Sequence, residues 1–230
     1  MSDKIKEMES ALKELIESPN LQLYVNEMVA IINKEHRMRI EFYNKISEKD
    51  KAEFINGEAV FHSPVKLMHN NASTNLMQLM KVFAQMEGLG IVGHEKLMVE
   101  FTRNSYEPDI VFFKKEKSKN FKRDQLIFPV PDFIVEVLSP STIKIDREIK
   151  FKDYEAHGVQ EYWIINPDKQ TVEQYILSGK SYELIMKGKN GIIESKAIRG
   201  FKIPVKSIFN EKENLETLQQ LIASSTKKRK

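Results

Sequence analysis

The sequence predicts an α/β or α+β domain in which helices lie on the faces of a sheet. Three observations lead to this prediction. Apolar runs rich in Val, Ile and Phe, such as PDIVFF and DFIVEV, have the composition of buried strands. Other stretches, such as 69–87, repeat apolar residues at three- and four-residue spacing, which is typical of helices. The two kinds follow one another in the order helix, strand, strand, strand, helix, strand and hairpin.

Length and composition limit the class of protein. The chain has 230 residues, enough for one sizeable domain with an extension, and 41% of them are hydrophobic. The net charge of +3 permits a nucleic-acid partner without arguing for one. The lack of cysteine excludes disulfides, thiolate nucleophiles and cysteine zinc sites. The N-terminal sequence does not resemble a signal peptide, and no segment has the roughly 20 apolar residues of a membrane span, so we expect a cytoplasmic protein.

Two amphipathic segments precede the main domain. Apolar residues at helical spacing predict one helix over 3–17, which ends before Pro19, and a second over about 20–38, which ends in the basic run KEHRMR. We interpret residues 1–44 as a helical hairpin extension. Its simplest role is packing or oligomerisation.

The elements of the main domain, residues 45–210, follow from local patterns. Asn56-Gly57 between short apolar runs predicts a hairpin. A helix over 69–87 should end at Gly88 and Gly90. The further predictions are strands in LMVEF, PDIVFF, PDFIVEVL and EYWIIN, a basic loop over 114–128, a helix over 143–157, a hairpin across 178–180, and a C-terminal helix over 211–222 with a basic tail to 230.

Two carboxylates lie within strand-like apolar runs. Glu136 stands in FIVEV, and Asp109 opens PDIVFF, 27 residues earlier. A carboxylate buried in an apolar sheet costs several kcal/mol unless it is paired. If the two strands pair, both groups can converge at one end of the sheet. A divalent cation would relieve their repulsion, and Mg²⁺ or Mn²⁺ suits carboxylate oxygens.

A lysine on the following helix is a third candidate. Lys150 shares a helix face with Asp146 and with Tyr154, each four residues away. The SPST loop lets this helix fold back over the sheet, where Lys150 could point at the carboxylates. A cation there would orient a metal-bound water or stabilise charge on a phosphate. An ordinary surface lysine paired with Asp146 is the alternative.

The combination of these motifs resembles the Uma-two family of restriction-endonuclease-like proteins, within the PD-(D/E)xK nuclease superfamily. The resemblance covers about residues 45–210. The motifs are INGE, a helix near His69, PDIVFF, PDFIVEVLSPST, Asp146, Lys150, Tyr154 and GVQEYWIINP.

The resemblance implies a restriction-endonuclease-like core, a mixed sheet flanked by helices with the active site at one end of the central strands. Asp109 matches the aspartate of the PD motif, and Glu136 matches the strand glutamate. Leu138 stands where the superfamily pattern places its lysine, and Lys150 takes over that role from the next helix. By the same analogy, a homodimer is expected.

Several residues carry weaker predictions. Glu58 could be a further metal ligand, the anchor of the nearby helix or a plain hairpin residue. His69 could act at the site or cap its helix, and Asp146 and Tyr154 are additional candidates. A set of basic residues between the two candidate strands could contact phosphates or be a solvated loop: Lys114, Lys115, Lys117, Lys122 and Arg123.

Three functional hypotheses follow. The first is an Mg²⁺-dependent endonuclease that hydrolyses DNA phosphodiester bonds, with Asp109 and Glu136 holding the metal ion and Lys150 assisting. The second is a catalytically inactive protein that kept the nuclease fold and binds nucleic acid or a protein partner. The third is a purely structural or oligomeric role.

Overall fold

The computed structural model describes residues 3–47 and 49–228 of the chain, with side chains placed over 10–47 and 49–225. A π-helical segment, Ile145–Lys150, leads into α5, and a 3-10 turn, Val205–Ile208, precedes α6. The helices are α1 Asp3–Glu17, α2 Leu21–Lys45, α3 Leu67–Glu87, α4 Lys115–Ser118, α5 Phe151–Ala156 and α6 Glu211–Lys228. The strands are β1 Ala52–Ile55, β2 Glu58–Phe61, β3 Gly90–His94, β4 Met98–Glu100, β5 Ser105–Tyr106, β6 Ile110–Lys114, β7 Ile127–Phe128, β8 Phe133–Val137, β9 Glu161–Asn166, β10 Thr171–Ser178, β11 Ser181–Gly188, β12 Ile192–Glu194 and β13 Lys202–Pro204.

The central sheet has six strands in the order β11-β10-β9-β8-β6-β3. It is mixed, because β8 and β9 pair in parallel while the other neighbouring strands pair antiparallel. A second sheet has the order β2-β1-β5-β4-β7, and β12 pairs with β13. The predicted fold class, a mixed sheet flanked by helices, is therefore confirmed.

The central strand β8 shows how the sequence divides the core. Phe133 and Val135 face the apolar cluster under α3, and Ile134 faces the cluster on the α5 side. Successive side chains alternate between faces of a strand. Glu136 therefore shares the α5 side with Ile134, among side chains that include Tyr154.

The predicted turn at Asn56-Gly57 and the helix end at Gly88 are present, whereas β3, β5, β7 and α4 were not predicted, and the last two lie within the predicted loop over 114–128. Asn56 and Gly57 have positive φ angles of 50° and 88°, as a tight hairpin turn requires. Gly88 ends α3 in the left-handed conformation. Gly90 begins β3 instead of closing the helix, and a Cβ there would lie 2.0 Å from the Phe113 carbonyl oxygen. The close approach of two backbones requires glycine, and a glycine-rich strand carries little apolar signal.

The terminal helices are longer than predicted. The basic run KEHRMR does not end α2, which continues to Lys45 because Arg39 and Phe42 pack on the domain. The Arg39 guanidinium donates to the Phe101 carbonyl at 2.9 Å. Likewise, α6 extends to Lys228 rather than 222 and packs on α3, where Ser225 Oγ donates to Glu87 Oε1 at 2.6 Å. Residues 229–230 of the predicted basic tail lie outside the described residues.

Within residues 3–47 and 49–228, no helix combines the length and the apolar character that a bilayer crossing demands.

Candidate active site

The strands β6 and β8 bring the two predicted carboxylates to one end of the central sheet. The strands pair antiparallel, with Ile110 opposite Val135. One step further along this register, Asp109 lies opposite Glu136. The Val137 backbone N–H donates to Asp109 Oδ2 at 2.8 Å, and both carboxylates are buried, with exposed fractions of 5% and 3%. Strand pairing, the condition on which the prediction depended, is thus met.

Lys150 reaches these strands from the π-helical segment. Its Nζ lies 3.0 Å from Glu136 Oε1 and 3.3 Å from Asp146 Oδ1. The side chain is almost fully buried, with an exposed fraction of 2%. A π-helical turn is rare and frequently marks a functional site. The fold-back that the SPST loop was expected to allow is therefore present, and Lys150 is not a surface lysine.

A third carboxylate, which the sequence analysis missed, completes the contacts of Lys150. Glu53 Oε1 lies 2.9 Å from Lys150 Nζ and accepts a hydrogen bond from the Glu107 backbone N–H at 2.9 Å. Glu53 is fully buried within the apolar strand β1, AEFI. Glu136 was predicted as a site residue because a glutamate in an apolar strand needs a partner. The same argument applies to Glu53 and predicts it from the sequence.

Two of the weaker candidates contact the central carboxylates. The Tyr154 hydroxyl donates to Glu136 Oε1 at 2.8 Å. The Nε2 atom of His69, which is buried in the first turn of α3, lies 3.4 Å from Asp109 Oδ2. His69 therefore faces the site rather than capping its helix from outside.

Three further side chains lie next to these carboxylates: a lysine, a histidine and another glutamate. Lys51 Nζ lies 3.5 Å from Asp109 Oδ1, and His62 Nε2 lies 3.2 Å from Glu53 Oε2. The carboxylate Oε2 of Glu107 accepts from the Ala52 backbone N–H at 3.1 Å. The cluster thus gathers five carboxylates around two lysines: Glu53, Glu107, Asp109, Glu136 and Asp146, with Lys51 and Lys150.

The pKa values show that the excess of carboxylates is only partly compensated. Burial raises the pKa of Glu136 well above its usual value, and although Lys150 opposes this, the charges of Asp146, Asp109 and Glu53 add to it. Burial also raises the pKa of Asp146. These shifts describe a site that holds more negative charge than its own cations neutralise.

Asp109 and Lys150 keep their charges. Burial by itself would raise the pKa of Asp109, but the hydrogen bond and charge of His69, together with Lys51, lower it to about 2. Burial disfavours the Lys150 ammonium, yet the charges of Glu136, Glu53 and Asp146 hold its pKa well above the usual value. The carboxylate of Asp109 is therefore ionised and Lys150 is cationic at neutral pH.

The donor set fits a divalent cation. Asp109, Glu136 and Lys150 line a narrow cleft with a cavity of about 30 Å³, which has room for one or two water-sized groups. No group of three or more His, Cys, Asp or Glu side chains in the described part of the chain is placed to hold a metal ion alone. Mg²⁺ typically takes one or two carboxylates and keeps several waters, so the pair Asp109 and Glu136, in an over-negative site, suits it.

Other predicted residues lie elsewhere. Glu58 is exposed in β2, opposite Ile55, and does not join the cluster, whereas Glu53 on the neighbouring strand does. The Leu138 side chain packs in the apolar cluster on the α5 side. Leu138 is therefore a core residue, and the lysine of the site is Lys150 from the π-helical segment.

The basic residues of the loop lie away from the carboxylates. Asp109 precedes β6 and Lys114 ends it, so five residues of extended chain, roughly 17 Å, separate them. Lys117 Nζ donates to the Val130 carbonyl at 2.7 Å and lies 3.2 Å from Asp132 Oδ1 at the same far end. Lys115, Lys122 and Arg123 are exposed and are not among the residues that line the cleft.

Comparison with known proteins shows the family of this chain. A family model described as "Uma2: Putative restriction endonuclease" matches residues 39–206. The chain belongs to the Uma2 family. The match contains Asp109, Glu136 and Lys150, and it begins near the end of α2.

This Uma2 chain is similar to one protein by sequence, and one solved structure shares its fold. An uncharacterized protein of Synechocystis sp., sll1609, is 28% identical over 149 residues, which cover 63% of this chain and 84% of that protein. A crystal structure of "a putative nuclease belonging to DUF820" from Anabaena variabilis has a TM-score of 0.64 at 20% identity, covering 74% of this chain and 95% of the other. The type IIG restriction endonuclease BpuSI, of which 19% is covered, has a TM-score of 0.34, too low to support an argument.

Proposed function

We propose that this Uma2 protein is a metal-dependent endonuclease that hydrolyses DNA phosphodiester bonds. The observation that carries the proposal is the arrangement at the end of β6 and β8. There, Asp109 and Glu136 lie opposite one another in a narrow cleft, and Lys150 contacts Glu136 at 3.0 Å. Family membership supports the reaction class, and the carboxylate chemistry supports the choice of Mg²⁺ or Mn²⁺.

Each side chain has a role in this proposal. A bound divalent ion would lower the pKa of a water and neutralise charge on the phosphate. Lys150 and Tyr154 both bind Oε1 of Glu136, which fixes the carboxylate and leaves Oε2 for the metal ion. The Val137 N–H and His69 orient Asp109 through Oδ2. Lys51, at 3.5 Å from Asp109 Oδ1, adds positive charge to the cleft where a phosphate would approach.

The test compares matched variants in a DNA cleavage assay with Mg²⁺ or Mn²⁺. Asp109→Asn and Glu136→Gln should each lower cleavage by at least about 100-fold, because each removes a charged oxygen ligand. Asp132→Asn is the control, since Asp132 also follows a proline and is buried, but lies at the other end of β8. Equal cleavage by all three variants would contradict the assignment. Nucleic-acid binding without cleavage by the wild type would instead favour an inactive nuclease fold.

A homodimer and a cytoplasmic location complete the proposal. The lack of cysteine fits a reducing compartment. The homodimer rests on analogy with the superfamily.

A further inference from the structure

The N-terminal half of α2 carries apolar side chains that the rest of the chain does not cover. Over residues 21–32, exposed fractions reach 65% for Leu23 and 62% for Ile32, and 47% for Met28 in between. The exposed apolar side chains of this half-helix are Leu23, Tyr24, Val25, Met28, Val29, Ile31 and Ile32. A helix that is apolar on most sides is normally buried in a core or an interface.

The exposed surface continues the face by which α2 packs on the domain. Phe42 and Arg39, about one and two turns from the end of α2, are its buried residues. Counting back at helical spacing from these two residues leads to Met28, Ile31 and Ile32. The same face therefore contacts the domain at its C-terminal end and lies open at its N-terminal end.

α1 does not close this face. It joins α2 through residues 18–20, and its own residues Leu12 and Ile16, four positions apart, remain 55% and 58% exposed. Every residue from Gln22 to Lys34 is exposed, so α1 buries no seam against α2.

The size of the patch matches a stable interface. About half of the surface of nine apolar side chains is exposed, on the order of 700 Å² per copy, above the roughly 300–600 Å² of the largest patch on a typical monomer. Standard interfaces bury about 800 Å² per partner. The patch, which we call the arm surface, consists of Leu12, Ile16, Leu23, Tyr24, Val25, Met28, Val29, Ile31 and Ile32.

The charges around the arm surface select its partner. Residues 21–33 contain one charged side chain, Glu27, and no lysine or arginine. Helices that bind membrane surfaces or nucleic acid carry basic residues beside their apolar face. A weakly charged, apolar surface is complementary to itself. In an antiparallel two-fold pairing about Met28, Tyr24 lies opposite Ile32, so that apolar residues of the same helix face meet each other.

We propose that the arm surface binds the arm surface of a second copy of this chain, with the two α2 helices antiparallel. The interface is isologous, with the two-fold axis passing near Met28. Residues 3–38 lie outside the stretch that matches the family, so this dimer contact is a property of the arm and is independent of the proposed nuclease activity.

The first test is the molar mass in solution, measured by light scattering after gel filtration. The wild type should have twice the mass of the chain, and Ile32→Glu should be monomeric with a circular-dichroism spectrum that shows a folded domain, because the Ile32 side chain is 62% exposed. Asn26→Glu is the control on the opposite side of α2 and should stay dimeric. A monomeric wild type at about 100 µM, or a dimeric Ile32→Glu protein, would overturn the proposal.

A second measurement uses the absence of cysteine from the chain. Met28→Cys should form a disulfide-linked dimer under mild oxidation, whereas Leu184→Cys, equally exposed on the edge strand β11, should not. Equal crosslinking of both variants would show random collision and contradict the proposed interface. Sedimentation of the wild type with vesicles of neutral and anionic phospholipid should give no binding, and firm binding would assign the arm surface to membranes instead.

Discussion

Replacing Lys150 with methionine tests the electrostatic design of the site. The substitution keeps a chain of similar length but removes the ammonium that lies within 3.3 Å of Glu53, Glu136 and Asp146. Removing one partner of a buried ion pair costs about 3–5 kcal/mol, because the other charge stays buried without compensation. Since Lys150 serves three carboxylates, we expect a loss at the upper end of this range, from a total stability of about 5–15 kcal/mol.

The loss should depend on pH in a definite direction. The pKa of Glu136 already lies above its usual value of 4.5, and removing Lys150 raises it further. The folded state then holds a proton that the unfolded state releases, so stability falls as pH rises from about 4.5 through the raised value. The difference between the variant and the wild type should therefore be small near pH 4.5 and largest at pH 8.

Urea denaturation at pH 4.5, 6 and 8 measures this difference. Lys152→Met, an exposed lysine two residues further on, is the control and should change stability by less than about 0.5 kcal/mol. Adding Glu136→Gln to Lys150→Met should recover about 1–3 kcal/mol of the loss at pH 8, because it removes one uncompensated charge. A loss below about 1 kcal/mol that is equal at all three pH values would refute the reasoning.

Three further predictions concern acid, metal and the core. The pKa of Asp109 is lowered from 3.8 to about 2, so its ionisation should contribute about 2 kcal/mol of stability above pH 4. This contribution should disappear as pH falls towards 2. In urea denaturation at several pH values, Asp109→Asn should flatten this part of the plot of stability against pH. Mn²⁺ at 100 times its Kd should stabilise the wild type and Asp132→Asn by about 2.7 kcal/mol in thermal melts, whereas Glu136→Gln should not be stabilised. An equal rise in melting temperature for all three proteins would contradict the ligand assignment. Glu161 accepts hydrogen bonds from Trp163 Nε1, Gln174 Nε2, Ser195 Oγ and two backbone N–H groups, so Glu161→Gln should cost about 2–4 kcal/mol in urea denaturation while cleavage by the folded protein is unchanged.

The parts of the site that could be predicted follow from a local rule. A charged residue inside an apolar strand needs a partner, and this rule identified Glu136 and led to Lys150. Helical spacing grouped Asp146, Lys150 and Tyr154, and the structure places all three around Glu136. The same rule applies to Glu53, which is buried in the apolar strand β1, whereas the hairpin signal of Asn56-Gly57 points only to the exposed Glu58.

Other features depend on tertiary structure, which a local pattern does not contain. The distance of the basic loop from Asp109 follows from the direction of β6, because a loop that leaves one end of a strand cannot lie at its other end. The strand β3 depends on the close contact of Gly90 with Phe113, and the length of α2 depends on the burial of Phe42. The apolar residues of α2 predicted a helix correctly, but their exposure became visible only in the fold.

The most direct test of the central claim is an anomalous-scattering map of crystals grown with Mn²⁺. Carboxylate oxygens coordinate such ions at about 2.0–2.2 Å. The account predicts a Mn²⁺ peak bound by oxygens of both Asp109 and Glu136, with Lys150 Nζ remaining in contact with Glu136. A map with no peak in the cleft, or a peak that touches neither carboxylate, would contradict it.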